Sequence, residues 1–397
     1  MSTPFTVTID LNRSVLPAST EITLYALVRI TPTREAVDWV RNNPRRVHVV
    51  FTIDTSGSMA GEKLETAKQA IIRRFRKDLD SDDMISVVTF SNEARVVVSS
   101  IKKKDAADFE RRIMSLSVEE ETNLYDGLEK SIAEFKKTPA GYLKRIVLAT
   151  DGVPTTGITD HDKIIDLARM AAQQGIKIDV YGIGDDYDYS LCSSIAKAAY
   201  GWMRHVSKAD ELDKVSQTAM DIYKGTIIDT LTMRILAEPG VKVSDVIMVY
   251  PQVKRLSPSG DVYVLGSLTG SPIMVAAKLD VGRFDPGMHK VASVAVGASS
   301  RDIVVNFVTD QSWVPEKCDA RIYYMYGLRV SQMEENVSAG KPMDTIEKQL
   351  HDILSTDCAK QVAINDPYFR QIIARSMAAK TQIDARTKVD SYTNPMG

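Results

Sequence analysis

The stretch Val47-His-Val-Val-Phe-Thr-Ile-Asp-Thr-Ser-Gly-Ser58 decides how this chain is read. Val47 to Ile53 form a continuous apolar run rich in branched side chains, the pattern of a strand buried on both faces of a parallel sheet. The run stops at Asp54, and oxygen-bearing side chains follow at Asp54, Ser56 and Ser58. Three hard ligands in the loop after a parallel strand lie at the carboxyl end of the sheet, where open α/β folds hold their ligands. One carboxylate and two neutral hydroxyls suit Mg2+ or Mn2+, whereas zinc favours thiolate and imidazole. Ser and Asp are common in loops, so this spacing draws its meaning from what surrounds it.

Working outward, Lys63 to Leu79 predicts a helix, with Leu64, Ala67, Ile71 and Phe75 on one stripe. Strands follow at Met84–Phe90 and Val96–Val98, a helix at Leu124–Phe135, a buried strand at Arg145–Thr150 and a helix at Ile164–Gln174 ended by Gly175. Ile176–Gly182 is a strand, Ser190–Ala199 a helix, Trp202–Val206 a short strand and Glu211–Tyr223 a helix. Strands alternating with helices imply βαβ units with right-handed crossovers, hence an open, doubly wound sheet covered on both faces.

The flanks read differently. Phe5, Val7, Ile9 and Leu11 alternate, as do Ile22, Leu24, Ala26, Val28 and Ile30, and the Pro-containing stretch Asn42-Asn-Pro44 closes this region. After Gly225 come short β-rich segments (Thr230–Leu236, Val246–Tyr250, Val262–Leu265, Ile273–Leu279, Lys290–Val296, Ile303–Val308) between Pro/Gly turns, the spacing of an antiparallel sandwich or barrel. Beyond Pro315 the pattern is helical. Asp344 and Glu347 suggest a capping box, Ile346, Leu350, Ile353 and Leu354 share a stripe, and a further helix is expected from about Pro367 to Ile383. The expectation is an α/β domain over 45–225 inserted in an antiparallel β-sandwich domain formed by 1–44 and 226–312, with a helical region over 313–397.

Composition agrees with a length of 397 residues, which suggests two to three domains. With 44% hydrophobic and 26% charged residues the chain reads as soluble and globular, and its net charge of −2 disfavours a nucleic-acid-tracking surface. Cys192, Cys318 and Cys358 are too few and too scattered for a disulfide framework or a four-thiolate zinc site, which favours a reducing compartment. Neither a secretory signal nor a run of about 18 apolar residues is evident, so a cytoplasmic location without a membrane segment is expected.

Two further positions give Asp54, Ser56 and Ser58 their context. Thr122 precedes the Leu124 helix, and Asp151, before Gly152, ends the strand from Arg145. Each has a local alternative: Ser58 or Thr122 as a helix cap, Asp151 as the first residue of a turn. Together Asp54, Ser56, Ser58, Thr122 and Asp151 resemble the metal-ion-dependent adhesion site of the von Willebrand factor type A family, of the intracellular bacterial or archaeal kind, and match its five positions completely. The resemblance covers about residues 45–225 and implies a Rossmann-like fold. It also implies that Ser56 and Ser58 ligate Mg2+ (or Mn2+) directly, that Asp54 and Asp151 act directly or through water, and that Thr122 joins or leaves the coordination sphere as the site opens and closes. One position then stays open for an Asp or Glu of another protein.

Other motifs weigh less. Gly182-Ile-Gly-Asp-Asp-Tyr187 lacks a third glycine and reads as a strand-terminating loop, Asp185, Asp186 and Asp188 as a solvated acidic loop, and Lys102–Lys104 as a solvated face. His48, His161, His205, His289 and His351 lack ligand spacing, and Cys192 reads as a packed small residue. The expected function is a non-enzymatic, metal-dependent protein-binding module, an adaptor or scaffold, and the resemblance implies partners such as AAA+ ATPases of the MoxR or chelatase type or components of multi-protein assemblies. Two alternatives stand beside it. One is a secreted or surface adhesin resembling pilus-tip and inter-alpha-inhibitor-like proteins, and the other is metal-assisted hydrolysis, for which the motif loops offer no histidine base.

Overall fold

The computed structural model describes residues 3–208, 211–309, 316–379 and 385–394. The chain opens with β1 (Phe5–Leu11), β2 (Val15–Pro17), β3 (Ile22–Pro32) and α1 (Arg34–Asn42). An alternating block follows: β4 (Val47–Asp54), α2 (Glu62–Lys77), β5 (Met84–Phe90), β6 (Ala94–Lys102), α3 (Phe109–Met114), α4 (Leu124–Glu134), β7 (Leu143–Thr150), α5 (His161–Gln173), β8 (Ile176–Ile183), α6 (Tyr189–Ala198), β9 (Met203–Val206) and α7 (Glu211–Lys224). Then come β10 (Ile228–Ala237), β11 (Val241–Tyr250), β12 (Lys254–Arg255), β13 (Val262–Leu268), β14 (Ile273–Val281), β15 (Gly287–Val296) and β16 (Ser299–Val308). The last helices are α8 (Cys318–Ser338), α9 (Asp344–Leu354), α10 (Asp357–Asn365), α11 (Pro367–Ala379) and α12 (Ala385–Thr393). The expected end of a helix at Ile383 lies outside the described residues. Two compact units result, one of Met1–Trp39 with Ile227–Gly397 and one of Val40–Thr226.

In the second unit a six-stranded sheet runs β6-β5-β4-β7-β8-β9. Only the edge strand β6 is antiparallel to its neighbour; the other pairings are parallel. β4, β5 and β8 are buried at every position, which is why they read as unbroken strands. Because successive side chains point to opposite faces, Val49, Phe51 and Ile53 of β4 share a core with Leu64 and Ile71 of α2, Phe109 of α3 and Met220 of α7. On the other face Thr52 meets Ser131 of α4, Oγ1 to Oγ, at 2.7 Å. Helices therefore cover both faces. β4 has β5 on one side and β7 on the other, so strand order reverses there, and the carboxyl ends of β4 and β7 flank the crevice that such a reversal opens.

In the first unit two five-stranded sheets, β1-β3-β14-β11-β12 and β13-β10-β15-β16-β2, share one core. Val7, Val28, Val246 and Val275 meet Met233, Leu265, Val294 and Val305 in it. Pairing is antiparallel except between β16 and the short β2, which run parallel. The first sheet is buried on its second face as well: Leu27, Ile247 and Val249 are at 0% exposure. α8 covers them. Its Gly327 allows the close approach, since a Cβ there would lie 2.7 Å from Val249 Cγ1 and 2.9 Å from Ile247 Cγ2. Tyr25 packs on Tyr324 with ring centroids 5.0 Å apart, and Asp366 accepts both the Arg29 guanidinium at 2.7 Å and the Tyr323 hydroxyl at 2.9 Å. The carboxy-terminal helices thus pack on the sheet within the same unit.

Two expectations need correction. Cys318 and Cys358 form a disulfide with a Cα separation of 5.5 Å, with the buried Cys192 outside it, so the cysteines do not point to a reducing compartment. Forty residues of sequence separation hid a pair that the packing of α10 on α8 brings together. The capping box at Asp344 and Glu347 is also absent: Met343 occupies the cap position without a side-chain bond, and Glu347 turns inward to Lys388 at 3.0 Å and the Tyr392 hydroxyl at 3.2 Å. Among the described residues no helix is long and apolar enough to cross a membrane.

Candidate metal centre

β4 ends at Asp54, which has no exposed surface. Its Oδ1 accepts the Ser56 backbone N–H at 2.8 Å and its Oδ2 accepts the Thr150 hydroxyl at 2.6 Å, fixing both oxygens. Burial pushes the Asp54 carboxyl up to about 6; hydrogen bonds from Ser56 and Thr150 oppose the shift, and the charge of Asp151 adds to it. Ser56 precedes a single 3-10 turn, Gly57–Met59, without using its hydroxyl as a cap. That hydroxyl instead lies 3.2 Å from Ser58 Oγ, which donates to Asp151 Oδ1 at 2.7 Å. Asp151 follows β7 and is fully buried.

Thr122 comes from the third loop. Its backbone N–H donates to Thr155 Oγ1 at 2.9 Å and its carbonyl accepts the Thr155 N–H at 3.0 Å, while Glu119 N–H bonds the Thr55 carbonyl at 2.7 Å. Backbone bonds thus stitch the loops after β4, before α4 and after β7. Gly152 shows how tightly they converge: a Cβ there would lie 3.4 Å from Thr122 Oγ1, 3.8 Å from Ser58 Oγ and 3.9 Å from Asp54 Oδ2. All five side chains singled out in the sequence meet at this one place.

The cap readings of Ser58 and Thr122 do not hold. The cap of α2 is Gly61, not Ser58, and the cap of α4 is Asn123, whose side chain accepts the Asp126 N–H at 3.2 Å. Thr122 is left to face Gly152. Among the described residues no group of three or more His, Cys, Asp or Glu side chains is placed to hold a metal, so the donors at this site are two carboxylates completed by hydroxyls. Two carboxylates and three hydroxyls brought together are a hard-oxygen donor set, and the chemistry of that set fits Mg2+ or Mn2+.

Two residues at the site escaped sequence reading. Thr150 was seen only as a strand end, yet its hydroxyl holds Asp54. Lys63 enters the sequence reading only as the start of a helix, yet its Nζ lies 2.5 Å from Asp151 Oδ2. Its place one turn after the Asp54 loop was the available signal. The remaining motifs have structural uses: Asp188 caps α6 through the Leu191 N–H at 2.9 Å, and Tyr187 meets His205 Nδ1 at 2.9 Å. His48 sits at the opposite end of β4, where Nε2 is 3.0 Å from Ser86 Oγ and Ser86 donates to Glu134 at 2.9 Å. The grouping brings Ser, His and a carboxylate together without the order of a catalytic triad, because Glu134 contacts Ser86 while His48 Nδ1 meets Thr138 Oγ1 at 2.6 Å, and it is sealed, with His48 and Ser86 both at 0% exposure.

Residues 48–219, which span nearly all of the six-stranded sheet and the candidate site, match the family model of the von Willebrand factor type A domain. The whole chain resembles the solved von Willebrand factor type A protein from Catenulispora acidiphila in fold: 17% identity, TM-score 0.75, 99% of this chain and 96% of that one. Among curated proteins the chain is similar to the uncharacterised protein YfbK of Escherichia coli, 30% identical over 178 residues, which is 44% of this chain and 30% of that protein. It is likewise similar to inter-alpha-trypsin inhibitor heavy chain H4 of Sus scrofa, 27% identical over 242 residues, or 58% of this chain and 25% of that one. The chain therefore spans less than a third of the length of either of these relatives.

Proposed function

We propose that this protein binds another protein through a divalent cation held by Asp54, Ser56, Ser58, Thr122 and Asp151, and that it acts as an adaptor rather than as an enzyme. The observation that carries the reading is the convergence of these five side chains, with Thr122, Ser58 and Asp54 beside Gly152 and with Ser56 and Asp151 each within hydrogen-bond reach of Ser58. When bound, the cation supplies a positive centre with an exchangeable position for a partner's Asp or Glu carboxylate. The residues of the chain do the rest. Asp54 and Asp151 offset the dication's charge, the hydroxyls add donors without charge, and the network from Thr150 and the loop backbone keeps the donors in place. AAA+ ATPases are one class of partner this reading allows.

The test is capture by the full-length protein in Mg2+ and in EDTA, with wild type against a folded Ser56→Ala/Ser58→Ala variant. Mg2+-dependent capture that the variant loses supports the reading; equal capture by Asp54→Ala in EDTA sinks it. Sustained phosphoester turnover abolished by Asp151→Ala would favour the hydrolase instead.

A second reading keeps this chemistry and changes the compartment. The Cys318–Cys358 disulfide favours an oxidising environment, and with it a secreted or surface-bound binder over the cytoplasmic one. Maleimide trapping in the native cell separates the two: blocked Cys318 and Cys358 place the protein in an oxidising compartment, and labelled ones keep it in the cytoplasm.

A further inference from the structure

Lys63 occupies a position where a cation is electrostatically disfavoured. It lies in the first turn of α2, at the positive end of the helix dipole, beside Glu62 and Glu65, the acidic residues that such a turn prefers. What holds it there is Asp151. Lys63 Nζ is 2.5 Å from Asp151 Oδ2, the carboxylate is fully buried, and the lysine side chain keeps 29% of its exposure. Its outer end lies over the end of β8, with Cε and Nζ each 3.7 Å from where a Cβ on Gly184 would stand. Asp151 is thereby divided: Oδ1 accepts Ser58 Oγ and Oδ2 accepts Lys63.

From this division we infer that Lys63 is a positioning residue that sets the affinity of the site for divalent cations, an inference that rests on the metal-binding reading above. A dication drawing on Asp151 shares that carboxylate with an ammonium or displaces it, and two positive charges a few ångströms apart repel through a poorly screened interior. Lys63 holds the carboxylate in register with Ser58, and it also subtracts from the charge available to the ion. The resulting site binds weakly and releases readily.

The experiment is titration of the full-length protein with Mn2+, reading free Mn2+ by electron paramagnetic resonance, with circular dichroism to check the fold. Lys63→Met is expected to bind Mn2+ about tenfold or more tightly than wild type, the equivalent of one charge-assisted hydrogen bond no longer displaced. Lys63→Gln, which keeps a donor without the charge, shifts affinity the same way and serves if the Met variant misfolds. Lys63→Arg stays within about twofold of wild type, because it keeps the charge. Ser56→Ala/Ser58→Ala loses binding in either background. If wild type binds Mn2+ and the uncharged variants bind equally or more weakly, the role of Lys63 is wrong and the metal site stands. If neither wild type nor the variants bind, both fall.

Discussion

For Asp54 the proposed role as a metal ligand and the stability of the fold pull in opposite directions. Its folded pKa of about 6 lies above the ordinary 3.8, so at pH 7 the folded state holds an ionised group that burial penalises, by about 3 kcal/mol for a shift of that size. Asp54→Asn should therefore raise the unfolding free energy by about 1–3 kcal/mol without divalent cation while abolishing the gain on adding Mg2+. Urea unfolding with and without Mg2+ measures both, and a destabilised or Mg2+-responsive variant would contradict the account. His48 works in the opposite direction. Burial lowers its imidazole from 6.5 to about 4, so below pH 6.5 the unfolded chain takes up a proton that the folded chain refuses until about pH 4. Stability from this group is full above pH 6.5 and falls across that window by about 3 kcal/mol. The stability gap between wild type and His48→Gln should narrow accordingly from pH 7 to pH 4.

At the scale of elements, α8 carries the carboxy-terminal helices onto the first sheet. Gly327 permits that contact, so Gly327→Val should destabilise the first unit by about 1–3 kcal/mol or more through overpacking against Ile247 and Val249. A Gly327→Ala variant of smaller effect in thermal melts would support this ordering. The Cys318–Cys358 bridge closes a loop of 40 residues between α8 and α10, and loop-closure entropy assigns it about 4 kcal/mol. Cys318→Ser/Cys358→Ser should lower the melting temperature of the first unit and leave Mg2+ binding unchanged. Loss of Mg2+ binding in that variant would count against separate roles for the two units.

The whole molecule comprises two units, each with its own core. Calorimetry should resolve two transitions, since chains with more than one core depart from two-state unfolding. Only the transition of Val40–Thr226 should respond to Mg2+, by about 2.7 kcal/mol at a hundredfold excess over Kd. Asp54→Ala should flatten that response. A single transition, or Mg2+ raising the other one, would refute the assignment of the site to one unit.

Strand β4 and its loop were legible because two constraints coincide there. Burial on both faces demands an apolar run, and the hard-ion site proposed there needs oxygen donors at fixed spacing where the run ends. The period-two flanks were legible for the same kind of reason, as were the helices that carry one apolar stripe. Helix α1 escaped because, of its nine residues, Val40 is the buried one, and β2 because three residues carry no period. Sequence alone thus determined the doubly wound unit and the β-rich flanks and singled out the five side chains that the fold brings together, all of which rest on local periodicity and residue chemistry. Tertiary structure alone decided the pairing of Cys318 with Cys358, the packing of α8 on a sheet buried on both faces, and the grip of Lys63 on Asp151. Each of these joins residues tens of positions apart, and no local pattern records which distant groups the folded chain sets side by side.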